Sequence, residues 1–187
     1  MDAANRASRL DSDDPWTHAA LGFVLAEARR VKEAVVEYEE ALALNPNFAY
    51  GYTMLAATFC YLGRGDDAMA QIDKAERLSP CDLLTRGNRG ANNVMRAAAC
   101  LVSDRYCEGV DFAKKAIIEN CNSIPAWRQL VINCALAGHI EEAKSALQSA
   151  KRLQPDISLK WIEEWVPFVR AEDRRKYLEG FRLAGLE

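Results

Sequence analysis

The sequence predicts an all-α protein built from short helix hairpins that stack in a row. Helix-ending phrases of one kind recur as "ALALNPN", "AERLSPC" and "AKRLQPD", and the residues around them repeat at fixed spacing. Pro46 and Pro80 lie 34 residues apart, and Pro155 follows after a step of 75, which is twice 34 plus 7. Repetition at such a period is typical of stacked structural repeats.

Each unit contains two apolar stripes of helical spacing, joined by a short turn. Steps of three and four residues place the side chains of a stripe on one helix face. The turns contain Gly63 and Gly138, because glycine accepts the left-handed conformation that ends a helix. Alanines at the crossing points of the second helix allow close approach of its partner. The second stripes are Ala34, Tyr38 and Ala41; Ala68, Ile72 and Ala75; and Ala143, Leu147 and Ala150.

These residues resemble the tetratricopeptide repeat, whose signature is W-x2-L-G-x2-Y, then A-x3-F, then P. The resemblance implies a right-handed superhelical α-solenoid of helix-turn-helix repeats with a C-terminal capping helix. It also implies a groove, lined by the first helices, that binds extended or helical peptides. The three matching sets are His18, Leu21, Gly22, Leu25, Ala34, Tyr38 and Pro46; Tyr52, Leu55, Ala56, Phe59, Ala68, Ile72 and Pro80; and Trp127, Leu130, Val131, Cys134, Ala143, Leu147 and Pro155.

The register divides the chain into repeats of unequal length. We assign residues 15–48, 49–82 and 124–157 to regular repeats, and residues 83–123 to an elongated, irregular one. In the elongated repeat, "TRGNRGANN" is predicted to be a long connection that precedes the first helix.

The two ends of the chain differ from the repeats. Residues 1–14 match the tail of a preceding repeat, so we expect the chain to be cut from a longer protein and its exposed half-repeat to allow self-association. Residues 158–187 are predicted to form capping helices, with Tyr177, Leu178 and Phe181 facing inward.

The phrases "PWTHAALG", "PAWRQL" and "DRRKYLEGFRLAGL" resemble a particular bacterial arrangement. They are similar to the C-terminal repeat region of class III adenylate/guanylate cyclases and of related winged-helix regulators. This resemblance implies a regulatory or interaction segment of a larger signalling protein and implies no cyclase activity in the chain itself.

Composition excludes several classes of function. The net charge of −3 gives no general attraction to nucleic acid or anionic lipid, and no apolar run approaches the length of a membrane span. The N-terminus lacks the shape of a signal peptide, so we expect a cytoplasmic protein. The six cysteines form no C-x-x-C pair. We therefore expect no cofactor, no metal site and no enzyme activity, and we interpret the thiols as packing residues.

By the register of the repeat, seven residues are candidates for a peptide-binding groove. We predict that this groove is aromatic at one end and cationic at the other, and that it accepts an apolar side chain together with a carboxylate. An alternative for Trp16 and Phe23 is packing beneath the incomplete N-terminal repeat. The candidates are Trp16, Phe23, Tyr50, Thr53, Tyr61, Arg128 and Ile132.

The sequence favours a non-catalytic module that binds a protein or peptide. A free-standing scaffold for a multiprotein complex is the alternative of the same class. An enzyme that uses Cys/His chemistry and an RNA-binding repeat protein are alternatives of other classes. For RNA binding, the acidic composition and the missing base-reading pattern are unfavourable.

Overall fold

The computed structural model describes residues 13–79 and 86–187, without the side chains of residues 86–89. Every regular element in these residues is a helix, which confirms the all-α prediction. The predicted half-repeat at residues 1–14 lies almost wholly outside the described residues, as does Pro80. The helices are α1 (Pro15–Glu27), α2 (Val31–Leu44), α3 (Ala49–Tyr61), α4 (Gly65–Leu78), α5 (Arg86–Val102), α6 (Tyr106–Glu119), α7 (Ile124–Leu136), α8 (Ile140–Leu153), α9 (Leu159–Trp165) and α10 (Ala171–Leu183).

The helices pair as four consecutive hairpins. Helix α1 packs on α2, α3 on α4, α5 on α6 and α7 on α8. Each first helix also contacts the first helix of the next hairpin. Helices α1, α3, α5 and α7 therefore share one face of the stack, which we call the first-helix face.

The alanine-rich stripes of the second helices are buried, as predicted. Ala34, Tyr38 and Ala41 of α2 have no measurable exposure, and the equivalent residues of α4 and α8 are also buried. The Tyr38 ring lies against Gly22, where a Cβ atom would come within 2.9 Å of the ring carbon Cζ. Small residues thus allow the two helices of a hairpin to approach closely around one bulky side chain.

One residue in each hairpin turn has a left-handed backbone. The predicted glycines Gly63 and Gly138 have φ of 72° and 84°. The equivalent residues in the first and third turns are Arg29 and Asp104, with φ of 61° and 59°. This conformation costs a residue with a side chain roughly 1–2 kcal/mol. Arginine rarely adopts this conformation, whereas aspartate adopts it more readily because its short polar side chain can form local hydrogen bonds.

The predicted connection "TRGNRGANN" is mostly helical. Helix α5 begins at Arg86 and has 17 residues, against 13 for α3. The buried side chain of Asn92 links this helix to α3, because its Oδ1 atom accepts a hydrogen bond of 3.1 Å from the Thr53 hydroxyl. The prediction of an elongated connection is therefore wrong for residues 86–93.

The C-terminal helix α10 packs mainly on α7. Its inward side chains Tyr177, Leu178 and Phe181 are buried, as predicted. The close approach depends on Gly180, where a Cβ atom would lie 2.7 Å from Ile132 Cγ2 and 3.0 Å from Ile132 Cα.

We expect Gly180→Ala to lower the free energy of unfolding by about 1–3 kcal/mol, since the added methyl group would force α10 away from α7. Urea titration followed by circular dichroism measures this change. Gly90→Ala is the matched control: Gly90 also lies in a helix, but a Cβ atom added there would stay 3.6 Å from its nearest neighbour. The control should be neutral or stabilising by about 0.5–1 kcal/mol. Equal effects of the two substitutions would contradict the close packing of α10 on α7.

Candidate functional site

A segment from the C-terminal region crosses the first-helix face. This segment, residues 159–170, consists of α9 and the extended stretch after it, and we call it the strap. A cavity of about 240 Å³ lies between the strap and the first-helix face. The first-helix face contributes Glu27, Ala57, Cys60, Tyr61, Met95, Ala98, Arg128 and Gln129, and the strap contributes Trp161, Trp165, Val166, Pro167 and Phe168.

The strap begins with a capped helix of seven residues. The hydroxyl oxygen of Ser158 accepts a hydrogen bond of 3.2 Å from the backbone N–H of Trp161, as an N-cap residue does. The Trp161 and Trp165 rings stack with centroids 5.7 Å apart, as expected for side chains separated by one helical turn. Pro167 follows the helix and cannot continue it. The strap therefore presents two stacked indoles and then an extended stretch.

Polar contacts attach the strap to the first two hairpins. The Arg29 Nη2 atom donates hydrogen bonds to the carbonyl oxygens of Glu163, at 3.0 Å, and of Glu164. The backbone N–H of Val169 donates to the Tyr61 carbonyl at 2.9 Å. The Phe168 ring meets the Tyr61 ring edge-on, with centroids 6.0 Å apart.

The hairpin turns provide several of these contacts. The Arg170 side chain lies over Gly63, where a Cβ atom would overlap its guanidinium group. Further along, Lys176 Nζ donates to the Asp104 carboxylate at 2.6 Å. Arg29 and Asp104, the two non-glycine turn residues with a left-handed backbone, thus both contact the C-terminal region.

Arg128 supplies the cation of the cavity. Its guanidinium carbon lies 4.6 Å from the centroid of the Trp161 ring, within cation–π distance. Its Nη2 atom donates to Gln154 Oε1 at 2.5 Å. Its buried Nε atom has no hydrogen-bond partner among the described residues. No carboxylate of the described chain forms an ion pair with it.

Comparison with known proteins identifies the repeat. Residues 15–48 match the family model of the tetratricopeptide repeat. The first hairpin is a tetratricopeptide repeat. No curated protein sequence matches the chain significantly.

Solved structures, two of them described as tetratricopeptide-repeat proteins, share the fold over most of the chain. PilW, a type IV pilus biogenesis factor, is 15% identical over 94% of this chain and 80% of its own, with a TM-score of 0.72. A thermophilic tetratricopeptide-repeat protein of Thermus thermophilus is 19% identical over 91% and 89%, with a TM-score of 0.68. YrrB, described as having an unusual peptide-binding site, is 19% identical over 97% and 90%, with a TM-score of 0.57. These likenesses confirm the predicted tetratricopeptide-repeat solenoid.

The seven predicted groove residues do not form one surface. Tyr61 and Arg128 line the cavity. Trp16 and Tyr50 lie at the N-terminal ends of α1 and α3, stacked on each other with centroids 5.4 Å apart. Trp16 also packs edge-on against the buried Phe48, yet 59% of its surface is exposed. The remaining aromatic candidate, Phe23, is 48% exposed.

The structure corrects the predicted groove at two positions, Thr53 and Ile132. Thr53 is buried because it donates a hydrogen bond to Asn92 of the next hairpin. Ile132 has no exposed surface because Gly180 of α10 packs directly on it. In both cases, a neighbouring helix covers a position that the repeat register alone would leave open.

Sequence reasoning misses the strap itself. Arg29 is unremarkable in a charged turn, and the repeat register assigns residues 158–169 to the cap as a whole. The phrase "KWIEEWVPF" contains a usable signal, because its two tryptophans are one helical turn apart and a proline follows. Stacked tryptophans of this kind are typical of contacts to another surface.

The buried thiols of the helical core are protonated at neutral pH. Desolvation by burial raises the pKa of Cys60 and of Cys134 to about 12, and that of Cys100 to about 11. Nucleophilic cysteines have the opposite shift, toward a low pKa. None of the helices in the described ranges has the length and hydropathy to span a bilayer.

We expect Arg29→Ala to loosen the strap, because two hydrogen bonds from a guanidinium group are lost. Because Arg29 is exposed, the free energy of local opening of α9 should fall by about 1 kcal/mol. This corresponds to roughly fivefold faster amide exchange in α9. Hydrogen exchange with peptide-level resolution measures it. Lys160→Ala is the control, since Lys160 lies on α9 and its side chain is largely exposed. Unchanged exchange in α9 of the Arg29→Ala chain would show that these bonds do not hold the strap.

Proposed function

We propose that the chain is a non-catalytic, protein-binding module that holds a peptide segment on its first-helix face. The observation that supports this most directly is Arg128, a half-buried cation with an unpartnered Nε atom in a cavity lined by aromatic rings. A carboxylate would complete the hydrogen bonding of this guanidinium group. An apolar side chain would fill the rest of the cavity. The partner that fits is therefore a peptide with an apolar residue close to a carboxylate.

The strap shows the kind of backbone that this face accepts. It binds as one short helix followed by an extended stretch, through indole rings and backbone hydrogen bonds. A partner segment of the same pattern would bind by replacing the strap. YrrB, with its described peptide-binding site, is a precedent among proteins of this fold.

A free-standing scaffold for a multiprotein complex is the alternative. The exposed Trp16–Tyr50 pair favours it, because this aromatic patch lies away from the cavity and would allow a second partner to bind at the same time. PilW, a protein of this fold, is a type IV pilus biogenesis factor. Stacking of residues 1–14 on a second copy would provide self-association.

We also propose that the module is a cytoplasmic regulatory region of a larger bacterial signalling protein of the cyclase type. The support is the resemblance of its repeat and C-terminal phrases to the repeat region of those cyclases. The upstream reading frame of the parent gene tests this proposal. A catalytic or winged-helix domain there would support it, and a secretory leader would contradict it.

A peptide supplied in trans tests the first-helix face. The probe is a fluorescent peptide with the sequence of residues 158–170, SLKWIEEWVPFVR. In the native chain, the tethered strap competes at millimolar effective concentration, so the peptide should bind weakly. In a Trp161→Ala/Trp165→Ala chain, we expect binding at least about tenfold tighter, measured by fluorescence anisotropy.

Adding Arg128→Gln to the double variant should abolish that gain, because the tryptophan of the bound peptide loses its cation–π contact with Arg128. Arg152→Gln is the matched control, since Arg152 is an exposed arginine of α8 whose Nη2 donates to Ser149. Equal binding to the native chain and to the double variant would contradict the assignment of this face as a peptide site.

A further inference from the structure

Three side chains with metal-binding chemistry converge at the fourth hairpin turn. Cys134 belongs to the last turn of α7, His139 is the N-cap residue of α8, and Glu142 lies in the first turn of α8. The thiol sulfur, an imidazole nitrogen and a carboxylate oxygen all lie within 4.8 Å of one another. Within the described ranges, this is the one such group of three or more.

The backbone of the turn fixes the positions of these three residues. The N–H of His139 donates to the Cys134 carbonyl at 2.8 Å, and the N–H of Ala143 donates to the His139 carbonyl at 3.0 Å. Gly138 supplies the left-handed residue between the helices. Because these bonds belong to the hairpin itself, the three side chains are brought together before any ligand binds.

The repeat register shows how the fourth turn differs from the other three. In the first three turns, the position of His139 is an arginine. In the second turn, for example, the Arg64 Nε atom donates to Asp67 at 2.7 Å, and its guanidinium carbon lies 4.2 Å from the Phe59 centroid. The four equivalent sets are Leu25, Arg30 and Glu33; Phe59, Arg64 and Asp67; Cys100, Arg105 and Glu108; and Cys134, His139 and Glu142.

Only the fourth set combines three residues that can all coordinate a metal ion. An arginine is permanently charged and repels a cation, whereas a neutral imidazole is a preferred ligand of zinc. The third set differs from the fourth at this position alone. At this position an arginine forms an ion pair, whereas a histidine can coordinate a metal ion.

We propose that Cys134, His139 and Glu142 bind one divalent cation of the zinc type. Thiolate, imidazole and carboxylate are the three side-chain ligands that Zn²⁺ takes in proteins, and the spacing of their atoms permits convergence on one ion. Because His139 is exposed and Glu142 is partly exposed, water would complete the coordination of the ion. Zn²⁺ replaces the thiol proton of Cys134, and the proton leaves to the solvent.

Lys114 sets the strength of this site. Its ammonium nitrogen lies 2.7 Å from one carboxylate oxygen of Glu142, so it competes with the metal for that carboxylate. The second oxygen of the carboxylate remains able to coordinate. The bound ion would join α7 to α8 across the turn and would stabilise the last hairpin by binding only the folded state.

The decisive experiment is a Zn²⁺ titration of the full chain, without an affinity tag, against a chromophoric chelator. We expect one equivalent of Zn²⁺ to bind. Co²⁺ in its place should give a sulfur-to-cobalt charge-transfer band, which reports coordination by a thiolate. His139→Arg and Cys134→Ser should each weaken binding at least about tenfold and remove this band.

His139→Arg is a variant that should fold, because it recreates the residue set of the third turn. Its circular dichroism spectrum without metal should match that of the native chain. Cys121→Ser is the control for non-specific thiol binding, since Cys121 is exposed and remote in sequence from this turn. Lys114→Gln should tighten binding. Native-like Zn²⁺ affinity in a folded His139→Arg chain, or no thiolate band with Co²⁺ in the native chain, would overturn the proposal.

Discussion

The left-handed residue in each hairpin turn determines much of what surrounds it. It reverses the chain within three residues, so each pair of helices stays in contact along its length. At Gly63 it leaves room for the Arg170 side chain, and in the fourth turn it brings the three proposed metal ligands together. Arg29 and Asp104 adopt the same backbone at a conformational cost. Both then form polar contacts with the C-terminal region, which offset part of that cost.

The strap makes the first-helix face an intramolecular binding surface. Its contacts are modest individually: Trp165 and Val169 remain about half exposed, and the hydrogen bonds of Arg29 lie at the surface. Tethering raises the effective concentration of the strap to the millimolar range, so even weak contacts keep it in place. To displace the strap, a separate peptide must therefore make a favourable contact that the strap does not make. The unpartnered Nε atom of Arg128 offers such a gain to a carboxylate.

The parts of the structure that follow local spacing could be predicted from the sequence. The 34-residue period and the alanine stripes predict the hairpins and the buried faces, because these depend on neighbours three and four residues apart. The strap depends on contacts such as Arg29 with Glu163, which are distant in the chain and have no local pattern. The same limit explains Thr53 and Ile132, since each is covered by a helix outside its own repeat. The absence of paired cysteines likewise conceals the metal-ligand group, whose members come together only once the fourth turn has formed.

Helix α7 connects these features because each of its faces meets a different element. Arg128 and Ile132 are one helical turn apart and face the strap and α10. Asn133 faces the other way and donates its side-chain amide to the Ala97 carbonyl of α5. Cys134 faces α8 at the turn. A helix packed on all sides has little freedom to shift. The cation of the cavity and the thiol of the turn are therefore held by one rigid element, and any ligand at either site binds to a position that the core has already fixed.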